Sequence, residues 1–167
     1  MKIKILLLAA AGLFFSCQNK EQAKTQEIAM KYADVLSARK DYNQIKSFYK
    51  DSVKYENIIQ NTDELNLETG YFLDQIVNFK DKALVYENDK MIKVNEIIAN
   101  DSIAIINGEF NSYTYQGFQF LPMKFTTHLY FDKDFKIKKQ VDWFNYPIGD
   151  IIEQYQLQQS GGFNVDQ

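Results

Sequence analysis

Residues Met123 to Pro147, MKFTTHLYFDKDFKIKKQVDWFNYP, contain the clearest hairpin in the chain, together with its only histidine and its only tryptophan. If Lys133, Asp134 and Phe135 form a three-residue loop, Asp132 faces Lys136. The cross-strand pairs are then Phe131 with Ile137, Leu129 with Lys139, Thr127 with Val141 and Phe125 with Trp143. That face is mostly apolar. The opposite face carries Thr126, His128, Tyr130, Lys138, Gln140 and Asp142. A two-residue loop would slip the register and mix the two sets, so the three-residue loop is preferred. It sets His128 opposite Gln140 and within diagonal reach of Asp142.

Upstream of the hairpin the apolar periodicity changes from helical to alternating. Ile28, Tyr32, Val35 and Leu36 place a helix over about Gln26 to Arg39. Asp41 followed three residues later by Gln44 resembles a capping box, with Tyr42, Ile45, Phe48 and Tyr49 as the apolar stripe of a short second helix. Ser52 to Ile59 reads as a strand, Asn61 to Glu64 as a turn, and Thr69 to Asp81 as a third helix with Phe72, Ile76 and Phe79 on one face. Strands follow at Leu84 to Tyr86, Met91 to Ala99, Ser102 to Tyr115, Lys124 to Asp132 and Lys136 to Phe144, with Asn100-Asp101 suited to a tight turn. Gln116 to Pro122 is a connection whose Phe118, Phe120 and Leu121 fold back onto the body. Ile151, Ile152 and Tyr155 predict a short terminal helix.

At the N-terminus Lys2 and Lys4 precede the apolar run Ile5 to Phe15, which is too short for a permanent bilayer span and ends at Ser16-Cys17. This pattern is a signal peptide. Ser16-Cys17 after an apolar run resembles a bacterial lipobox, and the resemblance implies cleavage before Cys17 and a diacylglycerol on its thiol. The alternative is an ordinary secretory signal with an incidental cysteine. By the same resemblance, Gln18 in place of Asp favours the outer membrane, facing periplasm or medium. With the sole thiol acylated, no disulfide or thiolate site remains. The 151 residues that follow cleavage carry 22 acids against 17 bases, which argues against a nucleic-acid partner. The organisation is residues 1–16 as signal peptide, 17–25 as lipidated Cys17 and polar tether, 26–159 as one domain, and 160–167 as a flexible tail.

Helices followed by a run of long antiparallel strands make an α+β order, in which the helices cover one face of a curved sheet. The order, with the stretches Phe48-Tyr49-Lys50-Asp51-Ser52-Val53 and Phe131-Asp132-Lys133-Asp134-Phe135-Lys136-Ile137, resembles the nuclear transport factor 2-like superfamily and its SnoaL-like branch. The resemblance covers Ile28 to Pro147. It implies a cone, about three N-terminal helices packed on the concave face of a strongly curved antiparallel sheet, with a pocket between them and pairing as a homodimer through the sheet. Phe135 stands where the last hairpin of the family usually has Gly. Members include isomerases, dehydratases and cyclases that use Asp, His or Tyr in the cone, beside members that only bind.

His128 with Asp142 is the first candidate for chemistry, because a carboxylate can orient an imidazole that titrates near neutrality. The hairpin register puts both on the outer face, which favours a surface or dimer-seam role. Asn107, Glu109, Asn111, Tyr113 and Tyr115 alternate along one strand and share a face. Inside the cone they would line a polar pocket with Glu109 as acid or base; outside it they make a solvated or dimer-forming face. Trp143 and Tyr146 could stack a flat ligand, or serve as core aromatics. One His and one lipidated Cys cannot build a usual zinc site, Asp132-Lys133-Asp134 lacks the rest of a calcium loop, and no phosphate-binding glycine loop is present, so no metal or nucleotide cofactor is implied.

The expected role is a lipoprotein that binds a small apolar molecule or an envelope protein without catalysis. The competing classes are an isomerase or hydratase with His128 or Glu109 as base, and a structural dimerisation module. An enzyme needs an ionisable side chain inside the cone. A binder needs a hollow of roughly 300 Å³ or more.

Overall fold

The computed structural model describes residues 20–58, 63–115, 117–149, 151–152 and 156. The signal peptide, Cys17, Tyr155 and the 160–167 tail lie outside the described residues. Helix α1 spans Lys20–Ala38 and α2 spans Tyr42–Ser47, with Asp41 as the N-cap accepting from the Gln44 amide at 2.9 Å. The polar stretch expected as a tether up to residue 25 is therefore helical from Lys20. Thr25 is buried and donates to the Asp101 carbonyl, and Gln22 donates to that of Ala99. Those long-range bonds, absent from any local pattern, extend the helix toward its N-terminus.

The main sheet has the order β2-β1-β9-β8-β5-β4. Its strands are β1 (Tyr49–Asn57), β2 (Leu65–Glu68), β4 (Ile92–Ala99), β5 (Ile103–Phe110), β8 (Met123–Phe131) and β9 (Ile137–Asn145). Every pairing is antiparallel except β1 with β9, which run parallel from Tyr49 opposite Ile137 to Asn57 opposite Asp142. The two stretches that carry the family resemblance thus lie side by side; Ile137 donates to the Phe48 carbonyl at 2.8 Å. Register shifts between Tyr49 and Lys54, Val94 and Glu96, and Tyr130 and Phe131 bend the sheet.

A second sheet joins β3 (Val85–Tyr86), β6 (Tyr113–Tyr115) and β7 (Phe118–Phe120). The long strand expected over Ser102 to Tyr115 is thereby broken. It leaves the main sheet after Phe110, and Tyr113 to Tyr115 pair instead with the returning Phe118 to Phe120. Strand β2 replaces what reads in sequence as the run from a turn into a helix. The helix expected over Thr69 to Asp81 is α3 (Thr69–Tyr71) continuing as a π-helix over Phe72–Ile76, and it stops early because Asn78 takes a left-handed φ of 51°.

The concave face of the sheet meets α1, α2 and the π-helix in one core. Ala29, Tyr32, Ile45, Val53, Phe72, Leu73, Ile106, Leu129, Phe131 and Ile137 are all essentially inaccessible. Gly108 belongs on this face because a Cβ there would lie 2.7 Å from both the Lys93 carbonyl and the Phe125 ring. Residues 148, 149, 151, 152 and 156 are helical, and Ile148, Ile151 and Ile152 of this terminal turn are exposed.

Candidate functional site

The hairpin turn forms as the spacing predicts. Asp132 and Lys136 close it, and Phe131 pairs with Ile137. One residue later the strands part from the expected register. Tyr130 pairs with Lys139, leaving Lys138 as a bulge, and from there Leu129 faces Gln140, Thr127 faces Asp142, and Thr126 faces Trp143. The bulge lets the consecutive Lys138 and Lys139 both point away from the core. Lys139 meets Glu56 at 3.2 Å and Glu64 at 2.8 Å.

This one-residue slip reverses every later side chain of β9. Asp142 and Gln140 enter the cone, while Trp143, 47% exposed, goes to the outer face. The expected His128–Asp142 pair does not exist. His128 stays outside and packs edge-on against Trp143 at 5.9 Å, with the sheet between it and Asp142. Asn107 also lies outside, accepting from Thr126 and donating to Glu96. Glu109 pairs in register with Lys93 and Lys124 on that same side and is no cone acid. Asn111 donates to the Lys90 carbonyl, and Tyr115 pairs with Phe118 in the small sheet. Of that alternating set Tyr113 alone lines the cavity, because the chain turns at 111–112 before it. Tyr146 lines the cavity as well, whereas Trp143 stacks nothing there.

The cavity lies between α1 and the concave sheet, is partly open to solvent and has a volume of about 260 Å³. This is a little below the roughly 300 Å³ at which ligand pockets usually begin. On the scale of about 30 Å³ per water it suits a small molecule. Eight of its lining side chains are aromatic. Tyr86 and Tyr113 lie 5.2 Å apart, and Phe110 lies 4.9 Å from Phe125 and 5.6 Å from Phe144. Ile76, Val77, Asn78 and Leu84 form part of its wall.

Among the described residues Asp142 is the one carboxyl on this lining, and it is 4% exposed. Thr127 donates to its Oδ1 at 2.7 Å, and the Gln140 amide donates to both carboxyl oxygens at 3.1 and 2.9 Å. Gln140 in turn accepts from Tyr49 at 2.7 Å, and the Tyr49 and Tyr32 hydroxyls lie 2.8 Å apart. Four elements therefore meet in one buried polar chain. Burial pushes the Asp142 carboxyl up to about 6, against the pull of its Thr127, Gln140 and Tyr55 donors. Burial likewise raises the tyrosines: Tyr32, Tyr49 and Tyr55 all titrate above the ordinary phenol value and stay neutral at physiological pH.

Sequence reasoning missed Tyr32, Tyr55, Thr127 and Gln140 as members of this site. A signal existed in the doubled Lys138-Lys139, which cannot both alternate outward without a bulge, and in Thr127 amid the apolar residues of β8. Asp142 is a candidate from sequence, but on the outer face with His128 as its partner; the structure turns it into the cone, away from His128 and Glu109.

No family model matches the sequence, and no curated protein matches it. Solved structures do share its fold. An LEH-like epoxide hydrolase from M. tuberculosis superposes with a TM-score of 0.58 at 14% identity, over 80% of this chain and 90% of that one. An NTF-2-like protein of unknown function from Burkholderia xenovorans gives 0.55 at 15% identity, over 75% and 85%. A SnoaL-like protein of unknown function from Burkholderia thailandensis gives 0.53 at 16%, over 74% and 96%. With its helices laid in the concave face of a bent sheet, the chain has the nuclear transport factor 2-like fold, in the form shared with SnoaL-like proteins.

Proposed function

We propose that this protein binds a small, mainly apolar molecule inside its cone, at the cell envelope, held there by acyl chains on Cys17. The observation that carries the binding role is the partly open cavity of about 260 Å³ walled by aromatic rings, with the buried Asp142 carboxyl at hand to orient a polar group. Leu36 lines the cavity from α1, and Leu36→Trp should fill it. A panel of small hydrophobic compounds, followed by NMR shift changes at Tyr86, Tyr113 and Met123, should find binders that the variant no longer binds. Equal binding by wild type and Leu36→Trp would refute the cavity as the site.

The envelope address rests on Lys2, Lys4, the apolar run and Ser16-Cys17. Cys17→Ser should abolish labelling by a radioactive fatty acid; persistent labelling would sink the anchor.

A second role, acid–base catalysis, is favoured by Asp142 itself, a carboxyl inside the cavity whose titration near 6 lets it take or give one proton at neutral pH. One protein of this fold is described as an epoxide hydrolase, so small epoxides are a sensible first screen. Because fold does not fix chemistry, the test is kinetic. Turnover should show an inflection near pH 6 and fall at least 100-fold in Asp142→Asn. Turnover indifferent to that change would remove the enzyme role from this carboxyl.

A further inference from the structure

We propose that the cone selects small organic cations, an ammonium group carried on an apolar body. The inference rests on the cone being a ligand site and adds the charge class of its occupant. Two independent features point there. The first is the aromatic wall: Tyr55, Tyr86, Phe110, Tyr113, Phe144 and Tyr146 converge on one small volume, and ring faces attract cations more strongly the less water competes. Tyr86 already shows this affinity, since the Arg39 guanidinium lies 5.3 Å from its ring centre.

The second is charge. Asp142 receives only neutral donors, from Thr127 on β8, Gln140 on β9 and Tyr55 on β1. The other titratable groups facing it are tyrosines, Tyr32 on α1 and Tyr49 on β1, both held neutral by burial. Among the described residues no Lys, Arg or His lines the cavity. Arg39 stands outside the lining, its two terminal nitrogens turned to the carbonyls of Asn78, Asp81 and Leu84. A buried carboxylate without a cationic partner is costly, and a ligand that brings the counter-charge removes that cost. An anionic ligand meets the reverse, a like charge with no cation on the lining itself, Arg39 lying behind Tyr86. A neutral ligand of the same shape gains the apolar contact alone.

Proton linkage gives the sign. An ammonium stabilises the ionised carboxyl, so its binding releases a proton and tightens as pH rises through about 6. A neutral acceptor that takes a hydrogen bond from the protonated acid shows the opposite trend.

Three probes of one shape test this on the full chain by calorimetry: choline, its uncharged dimethylbutanol isostere with carbon in place of nitrogen, and the carboxylate tert-butylacetate. Choline should bind at least about tenfold more tightly than the alcohol, and the carboxylate not at all. Choline affinity should rise about tenfold between pH 5 and 7, as the ionised fraction of an acid titrating near 6 rises. Leu36→Trp should abolish choline binding, and Asp142→Asn should erase both the preference for charge and the pH dependence. Binding of the alcohol or the carboxylate as tightly as choline would overturn the cation selectivity and leave the cone a ligand site. Binding of choline that survives Leu36→Trp would place the cation elsewhere and overturn it too. Failure of all three probes to bind would sink the cation proposal, while binders from the hydrophobic panel blocked by Leu36→Trp would still uphold the cavity.

Discussion

Phe135 occupies the last position of the β8–β9 turn with φ at 57°, a left-handed conformation in which a Cβ crowds the backbone. The turn holds because Asp132 binds it from within, its Oδ1 accepting from the amides of Asp134 and Lys136, each at 2.9 Å. Related hairpins usually place Gly here, and the strain explains that preference. Comparing two truncations isolates it, since Phe135→Gly and Phe135→Ala lose the same half-buried ring. The glycine variant should be the more stable by about 1 kcal/mol, read from urea midpoints. Equal midpoints would mean that the turn relaxes around a Cβ at no cost.

At the scale of elements, what was legible in the sequence and what was not divide along one physical line. Periodicity and capping are local, so α2 with its Asp41 cap and the hairpin closure at Asp132 and Lys136 were readable. Which face of β9 looks inward is not local. It depends on the Lys138 bulge and on the parallel seam between β1 and β9, whose partners are 85 to 88 residues apart. The apolar look of Val141 and Trp143 argued for the wrong face, because this core is not wholly apolar; it closes around Tyr32, Tyr49, Tyr55, Gln140 and Asp142. The segment from Asn78 to Leu84, two residues of which line the cavity, depends on one distant side chain in the same way. Arg39, at the end of α1, donates to the carbonyls of Asn78 at 2.6 Å, Asp81 at 2.8 Å and Leu84 at 3.1 Å. Lysine carries its donors on one nitrogen and lacks the two-nitrogen fork that Arg39 uses here, so Arg39→Lys should speed amide exchange across 79–84 by about tenfold while α1 keeps its protection. Unchanged exchange would show that packing of Phe79, not the guanidinium, holds the segment.

At the scale of the whole molecule, one buried acid ties the site to the stability of the fold. Asp142 has an ordinary value of 3.8 and rises to about 6 in the folded protein because the cone withholds water from it. A carboxyl raised in this way binds its proton more tightly folded than unfolded. Its contribution favours the native state fully below about pH 4 and disappears as pH climbs through 6. Between pH 4 and 7.5 the loss amounts to roughly 2–3 kcal/mol, a large share of the stability of an ordinary domain. Many other carboxylates titrate over the same range, so the measurement is the difference between wild type and Asp142→Asn. Urea unfolding at several pH values should show wild type losing about that much relative to the variant as pH rises from 4 to 7.5. A difference that does not change with pH would mean that water or a counter-charge already reaches the carboxyl. A small organic cation that pairs with Asp142 should restore part of the loss, with the largest gain in unfolding midpoint above pH 6 and little gain at pH 4.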